Sequence, residues 1–241
     1  MIASVRTATT ALLALVIGAA ALQAPAAAQR ATAVSVSSGV LYPGCHDVPW
    51  TYTIDPAQAA YDWAVFVSAY DPSGSEVSSD SVWKDEGAPP SGTGNGFQVC
   101  SHQLSGTWTL QAEVHFYGGP YADIVFPTQS FSMREAKSKT SVTIKKKTVK
   151  TGQTVKVKIR CLVEYPNGFY PESFVKVVAQ RKVDGVWKKA GVAYVDDRGY
   201  ATVAFTWKLK KGKQLVRGTT PRTDRFLGSQ SSAVKVKTAK P

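Results

Sequence analysis

The sequence of 241 residues carries 29 Lys and Arg against 17 Asp and Glu, which is a formal net charge of +12. Val, Thr, Ser, Tyr and Trp are frequent, and no long segment after residue 28 has apolar residues at helical spacing, so a predominantly helical protein is excluded. About 210 residues follow that point, which is enough for one large β-domain or for two of about 100 residues each.

Residues 1–28 have the pattern of a secretory signal peptide. Arg6 precedes an apolar run over residues 8–22, and three alanines at 26–28 offer the small residues of a cleavage site. The run is shorter than the ~20 residues that a membrane-spanning helix needs. No cysteine follows it until Cys45, which disfavours a lipid-anchored start. We therefore predict a secreted, extracellular protein, with any cell-wall association non-covalent.

The next part of the chain predicts seven short strands. They cover residues 32–39, 46–54, 62–70, 76–83, 97–101, 107–117 and 122–133. Residues 87–96 are rich in Gly, Pro and Ser, and this composition predicts a mobile loop.

Alternation of apolar and polar residues is clearer in the last hundred residues. Five apolar residues from Val155 to Val163 alternate with mostly charged ones, which predicts a strand with one apolar face and one mostly charged face. Asp184-Gly185 predicts a tight two-residue turn between strands, and Asp197-Arg198-Gly199 predicts another. About seven short strands with regular turns favour a β-sandwich.

Residues 139–238 resemble the bacterial Ig-like repeat of secreted and surface proteins. The similarity rests on residues 141–144, 151–155, 175–180 with 185–187, 197–200 and 226–232. It implies an all-β protein of two tandem immunoglobulin-like β-sandwiches, over residues 30–134 and 138–238. The family's Gly-Thr-Tyr entry to its sixth strand is replaced by Gly212-Lys213-Gln214, so the family's tyrosine corner cannot be assumed there. Gly106-Thr107-Trp108 resembles that entry in the first half.

Charge reverses sign between the two halves. Residues 31–137 contain 3 Lys and Arg and 11 Asp and Glu, a net charge of −8. Residues 138–241 contain 24 Lys and Arg and 6 Asp and Glu, a net charge of +18. This reversal predicts a domain boundary near residues 134–138 and different partners for the two halves.

The three cysteines are expected to form one disulfide. In an Ig-like sheet the second and fifth strands are antiparallel neighbours, so Cys45 and Cys100 should meet and pair in an oxidising compartment. Cys161 falls on the apolar face of its strand, which predicts a buried free thiol. His46 and His102 flank the pair and suggest a zinc site, but adjacent residues of a strand point to opposite faces, which disfavours it.

Catalysis finds little support in the sequence. All three histidines lie in the first half, no Gly-x-Ser-x-Gly motif occurs, and acidic residues such as Asp71 and Asp197 stand in turns. We predict a non-enzymatic protein without cofactor or metal. Six tryptophans suggest an alternative, a carbohydrate-binding accessory module. Trp63, Trp108 and Trp207 are assigned to the core, and Trp50, Trp83 and Trp187 stay open.

Lysines form the main candidate site. In a seven-stranded Ig-like topology alternate turns gather at one end, and three such turns are rich in lysine. The predicted polyanion-binding residues are Lys145, Lys146, Lys147, Lys150, Lys182, Lys188, Lys189, Lys208, Lys210, Lys211 and Lys213. For an exported protein the expected partner is an anionic cell-wall polymer or anionic surface. No motif for reading a nucleic-acid sequence appears. Self-association of the acidic and basic halves is a further alternative.

Overall fold

A computed structural model describes residues 31–239, which fold into twenty-one β-strands without any helix. The predicted all-β class is therefore confirmed. The predicted signal peptide, residues 1–28, lies outside the described residues. Within residues 31–239 no helix has the length and apolar character that crossing a membrane would require.

The first eleven strands pair only with one another. They are β1 (Ala33–Val36), β2 (Gly39–Leu41), β3 (Cys45–Val48), β4 (Trp50–Thr53), β5 (Asp62–Tyr70), β6 (Glu76–Trp83), β7 (Ser91–Thr93), β8 (Phe97–Cys100), β9 (Gly106–Tyr117), β10 (Ile124–Val125) and β11 (Gln129–Glu135). One layer contains the ladders β1-β4-β7 and β3-β8. The other is the sheet β2-β11-β9-β5-β6, in which β2 runs parallel to β11.

The remaining strands repeat this plan. They are β12 (Ser138–Thr143), β13 (Thr148–Val149), β14 (Thr154–Tyr165), β15 (Gly168–Tyr170), β16 (Lys176–Val183), β17 (Val186–Tyr194), β18 (Tyr200–Thr206), β19 (Lys213–Thr220), β20 (Ser229–Gln230) and β21 (Val234–Thr238). Strand β14 pairs with β12, β15 and β18, and it faces the sheet β13-β21-β19-β16-β17. In this half β12, β14 and β18 belong to one sheet, and β16, β19 and β21 belong to the sheet that faces it. This is the immunoglobulin-like arrangement.

Each half has its own buried cluster of apolar side chains. The first runs from Val34 to Met133 and the second from Ala136 to Val236. Apart from one bridge between Ala136 and Phe226, every described strand pair lies within residues 33–135 or within 138–238. The exact domain limits, 30–134 and 138–238, stay a prediction.

Tryptophans anchor both clusters. Trp63, Trp108 and Trp207 are buried, as predicted, and so is Trp50. Trp108 donates from Nε1 to the carbonyl of Leu104 at 2.8 Å. This bond from the start of β9 to the backbone four residues earlier takes the place of a tyrosine corner.

The structure differs from the predicted strands in several places. Residues 32–39 span β1 and the start of β2, and residues 122–133 span β10 and most of β11, so neither range forms one strand. Residues 46–54 were expected to form one strand, but Pro49 lacks an N–H donor and separates β3 from β4. Residues 87–96 were expected to form a mobile loop, which is wrong for their middle part. There β7 pairs with β4, and Gly94 is buried against Trp50.

Candidate functional site

The lysine-rich turns meet at one end of the second half, and backbone hydrogen bonds hold them together. The amide of Lys237 donates to the carbonyl of Lys147 at 2.8 Å, and that of Thr238 donates to Gly212 at 2.8 Å. Trp207 donates to Gln153 at 2.8 Å and accepts from Gly152 at 2.9 Å. The segments around residues 147–153, 207–212 and 237–239 are therefore fixed against one another.

A hairpin brings the other lysines to the same end. Val183 pairs with Val186, and the two turn residues between them have positive φ, 51° at Asp184 and 80° at Gly185. These angles are those of a type I′ turn, which the Asp-Gly sequence predicted. Arg181 pairs with Val216 of β19. The hairpin therefore extends towards the end at which β19 begins.

We call the eleven predicted lysines the lysine tip. All of them are exposed, and no carboxylate among residues 31–239 lies within salt-bridge distance of any of them. In the segments that carry them Asp184 is the sole acidic residue. The topology thus gathers many like charges on one rigid end.

Trp207 fixes the backbone under the tip. Its indole is fully buried and donates to Oγ1 of Thr238 at 3.1 Å. The carbonyl of Leu209 accepts from the hydroxyl of Thr151 at 2.8 Å and from that of Thr238 at 3.2 Å. These hydrogen bonds tie the backbone segments of the tip together, and the lysine ammonium groups extend from them on flexible stems.

Sequence reasoning left several basic residues out of the site. Lys156, Lys158 and Arg160 lie exposed along β14, and Lys158 Nζ stands 3.8 Å from the centre of the Tyr200 ring. The alternating pattern of β14 was the available signal for them. Arg217 lies 4.2 Å from the Trp187 ring, so part of this indole face is covered by a guanidinium.

The tip lies at the opposite end of β14 from the junction between the halves. Thr154, at the tip end, pairs with Thr206, and Val163, near the other end, pairs with Ser138. Twelve residues of strand span about 40 Å. The tip therefore faces away from residues 134–138.

Charges at the junction are paired, in contrast to those of the tip. Both Nη atoms of Arg134 donate to the Glu164 carboxylate at 2.8 Å, and the amide of Lys137 donates to it at 2.9 Å. These donors hold the pKa of Glu164 below its ordinary value. Arg222 forms an ion pair with Glu135, and Arg225 one with Glu172.

The predicted disulfide between Cys45 and Cys100 is present, and the two residues are direct partners of the β3-β8 ladder. Cys161 is a buried free cysteine, and burial raises the pKa of its thiol. Both predictions are confirmed. Because Cys45 and Cys100 form a disulfide, they cannot serve as the sulfur ligands of the alternative zinc site. Among residues 31–239 no group of three or more His, Cys, Asp or Glu side chains is placed to hold a metal ion.

Comparisons with known proteins give only distant structural likeness. No protein-family model matches the sequence, and no curated protein matches it. A tetra-tandem repeat from the extending region of a large adhesion protein is 15% identical, with a TM-score of 0.35, over 86% of this chain and 49% of that structure. The chain thus spans about half of it.

Two named adhesins are similar at the same level. The Escherichia coli adhesin FdeC is 15% identical, with a TM-score of 0.36, over 87% of this chain and 64% of its own. The Yersinia pseudotuberculosis adhesin InvE is 11% identical, with a TM-score of 0.33, over 86% of this chain and 58% of its own.

Proposed function

We propose that this protein is a secreted, non-catalytic binding protein that associates with the cell envelope, and that its lysine tip contacts an anionic polymer or surface. The observation that carries the proposal is the convergence of eleven exposed lysines, from separate segments, on one end without a carboxylate partner.

A solvated face that merely aids solubility is the simpler explanation for a few lysines. Here like charges come together from turns that are far apart in sequence, and such crowding destabilises the folded state unless an anion offsets it. At the junction Arg134, Arg222 and Arg225 have carboxylate partners, whereas no tip lysine has one. The tip is therefore best explained by a partner outside the chain.

The chemistry of the tip indicates the kind of partner. Lysine ammonium groups are mobile point charges, which suit a repetitive polyanion better than a ligand of fixed shape. For an exported protein, cell-wall polymers and anionic lipid head groups carry such repeated charges. Binding of this kind releases counterions, so affinity falls steeply with salt.

The first prediction compares two variants that lose the same number of charges. Lys147→Ser/Lys210→Ser/Lys211→Ser removes three tip lysines, and Lys139→Ser/Lys176→Ser/Arg198→Ser removes three exposed basic residues from elsewhere in the same half. Binding to isolated anionic wall polymer is measured from ~50 to ~500 mM salt, where the screening length falls to a few Å. The tip variant should reduce the slope of log affinity against log salt by roughly 2–3, and the control should reduce it much less.

Equal losses in both variants would show that only overall charge matters and would contradict the role of the tip. Retention of the unmodified protein that is the same at both salt limits would contradict electrostatic binding altogether. Salt-dependent oligomers that form without any polymer would instead support pairing of the acidic and basic halves.

A further inference from the structure

The outer face of the sheet β11-β9-β5-β6 carries a row of aromatic side chains. In the strand register Trp83 and His115 are the two partners of Ala64, Tyr117 is the partner of Asp62, and Glu113 that of Phe66. Paired residues point to the same face, and the neighbouring residues Trp63 and Val65 point into the core. The aromatic row is therefore on the side of the sheet that faces away from the core.

Two rings of this row lie almost parallel. The planes of Trp83 and Tyr117 differ by only 13°, and their ring centres are 6.2 Å apart. Tyr117 is 45% exposed. Trp83 is held in place by a hydrogen bond from Nε1 to the hydroxyl of Ser81 at 3.0 Å, and by Phe66, which packs at right angles to it.

Carboxylates surround this pair. Asp62 and Asp85 line a shallow cavity of about 290 Å³ together with Trp63, Trp83 and Tyr117. On the other side, the two ring nitrogens of His115 lie 3.1 Å from Glu113 and 3.0 Å from Asp123. Carboxylate oxygens, which accept hydrogen bonds, thus lie beside the rings, and Asp62 is 72% exposed and 3.9 Å from the Lys84 ammonium.

A groove lies farther along the same face of the sheet. It has a volume of about 490 Å³, and its lining includes Phe66, Tyr70, Gln111, Glu113, Val125 and Thr128. Phe66 lies between the groove and the Trp83 ring, with ring centres 5.2 Å apart. The two depressions could therefore hold consecutive units of an extended chain.

We propose that this aromatic face binds a neutral glycan, with one sugar ring on Trp83 and Tyr117 and further units along the groove. Aromatic faces pack against the apolar side of a sugar ring, and carboxylates and amides accept or donate hydrogen bonds at its hydroxyl edge. The net charge of −8 on residues 31–137 disfavours an anionic chain.

The experiment uses four neutral hexasaccharides as probes, built from β-glucose, α-glucose, β-mannose and N-acetylglucosamine. Binding to the mature protein is followed by tryptophan fluorescence and by isothermal titration. At least one hexasaccharide should bind, and its affinity should stay the same from ~50 to ~500 mM salt, which separates this site from the lysine tip. Tyr117→Ala should weaken binding about tenfold or more. Tyr194→Ala removes a tyrosine that is 62% exposed in the other half and should change nothing.

Because Tyr117 is exposed, its substitution should leave the thermal unfolding midpoint close to that of the unmodified protein. Asp85→Asn gives a second, milder change that should also weaken binding. Failure of all four probes to bind, or equal affinity in the Tyr117→Ala variant, would overturn the proposal. Binding of choline in place of every hexasaccharide would show that the face recognises cations instead.

Discussion

Gly94 packs directly against the side chain of Trp50, which leaves no room for a larger residue. A methyl group on Gly94 would lie 2.1 Å from the Trp50 indole, which is fully buried and cannot move aside. The indole donates from Nε1 to Asp80 at 2.8 Å, and the same carboxylate oxygen accepts from the amide of Gly96 at 2.9 Å. The glycine-rich segment is thus a close-packed cover over a tryptophan.

Gly94→Ala should therefore destabilise the protein by about 3 kcal/mol, because overpacking a well-filled core forces its neighbours to shift. Gly152→Ala is the control, since its φ is +86° but a Cβ there would meet nothing within 4 Å. It should cost only about 1 kcal/mol through backbone strain. Urea unfolding of both variants measures the difference, and equal costs would show that contact with Trp50 is unimportant.

Single residues were predictable where local alternation decided their environment. Trp63, Trp108 and Cys161 follow period-two patterns, and all three are buried as expected. Gly94 was mistaken for part of a mobile loop because its contact with Trp50 spans 44 positions and leaves no local pattern. The stacking of Trp83 on Tyr117 depends in the same way on strand pairing.

Strands β3 and β8 form the smallest sheet in the described part of the chain, with only two strands. Each strand has four residues, and Cys45 faces Cys100 at one end of the ladder. So short a pair contributes few hydrogen bonds, and the disulfide supplements them by closing a loop with a sequence separation of 55. A crosslink of this span limits the freedom of the unfolded chain.

Cys45→Ser/Cys100→Ser should lower the free energy of unfolding by about 4 kcal/mol, the loop-entropy value for a separation near 55. A reducing agent should lower the unfolding midpoint of the natural protein and leave that of the double variant unchanged. Alkylation provides an independent check. One cysteine should react in the unfolded, unreduced protein and three after reduction, and three in both conditions would rule out the bridge.

Elements were predictable where turns and alternation mark them. The hairpin at Asp184 and Gly185 and the long strand β14 lie where the sequence placed them. Strand β7 and the parallel pairing of β2 with β11 were missed. Both are three-residue strands stabilised by partners distant in sequence, so local pattern carries no sign of them.

For the molecule as a whole, the ion pairs at residues 134–138 link the two halves chemically. Arg134 belongs to the end of β11 and Glu164 to β14, and they bond in a two-pronged geometry. Because these donors favour the charged carboxylate, the pKa of Glu164 is lowered in the folded protein. The stability that this pair supplies is therefore complete above the ordinary value of 4.5 and is lost as pH falls through the lower, folded value.

Glu164→Gln should consequently lower the unfolding midpoint at pH 7 and flatten its decline below pH 4.5. Unfolding in urea at a series of pH values from 7 to about 3 tests this expectation. Glu86→Gln, at an exposed position without a described ion pair, is the matched control and should follow the natural protein. An acid profile of Glu164→Gln that parallels the natural one would show that the junction pair contributes nothing to stability.

The distance between the tip and the junction has an electrostatic consequence. About 40 Å of strand separates them, whereas the Debye length at physiological salt is about 8 Å. The acidic half lies beyond the junction, several screening lengths from the lysine tip. Its negative charge therefore neither neutralises the tip lysines nor repels an anion that binds to them. The net charge of +12 thus describes neither end of the molecule. A charged surface therefore encounters either the cationic tip or the acidic half, depending on the side from which it approaches the protein.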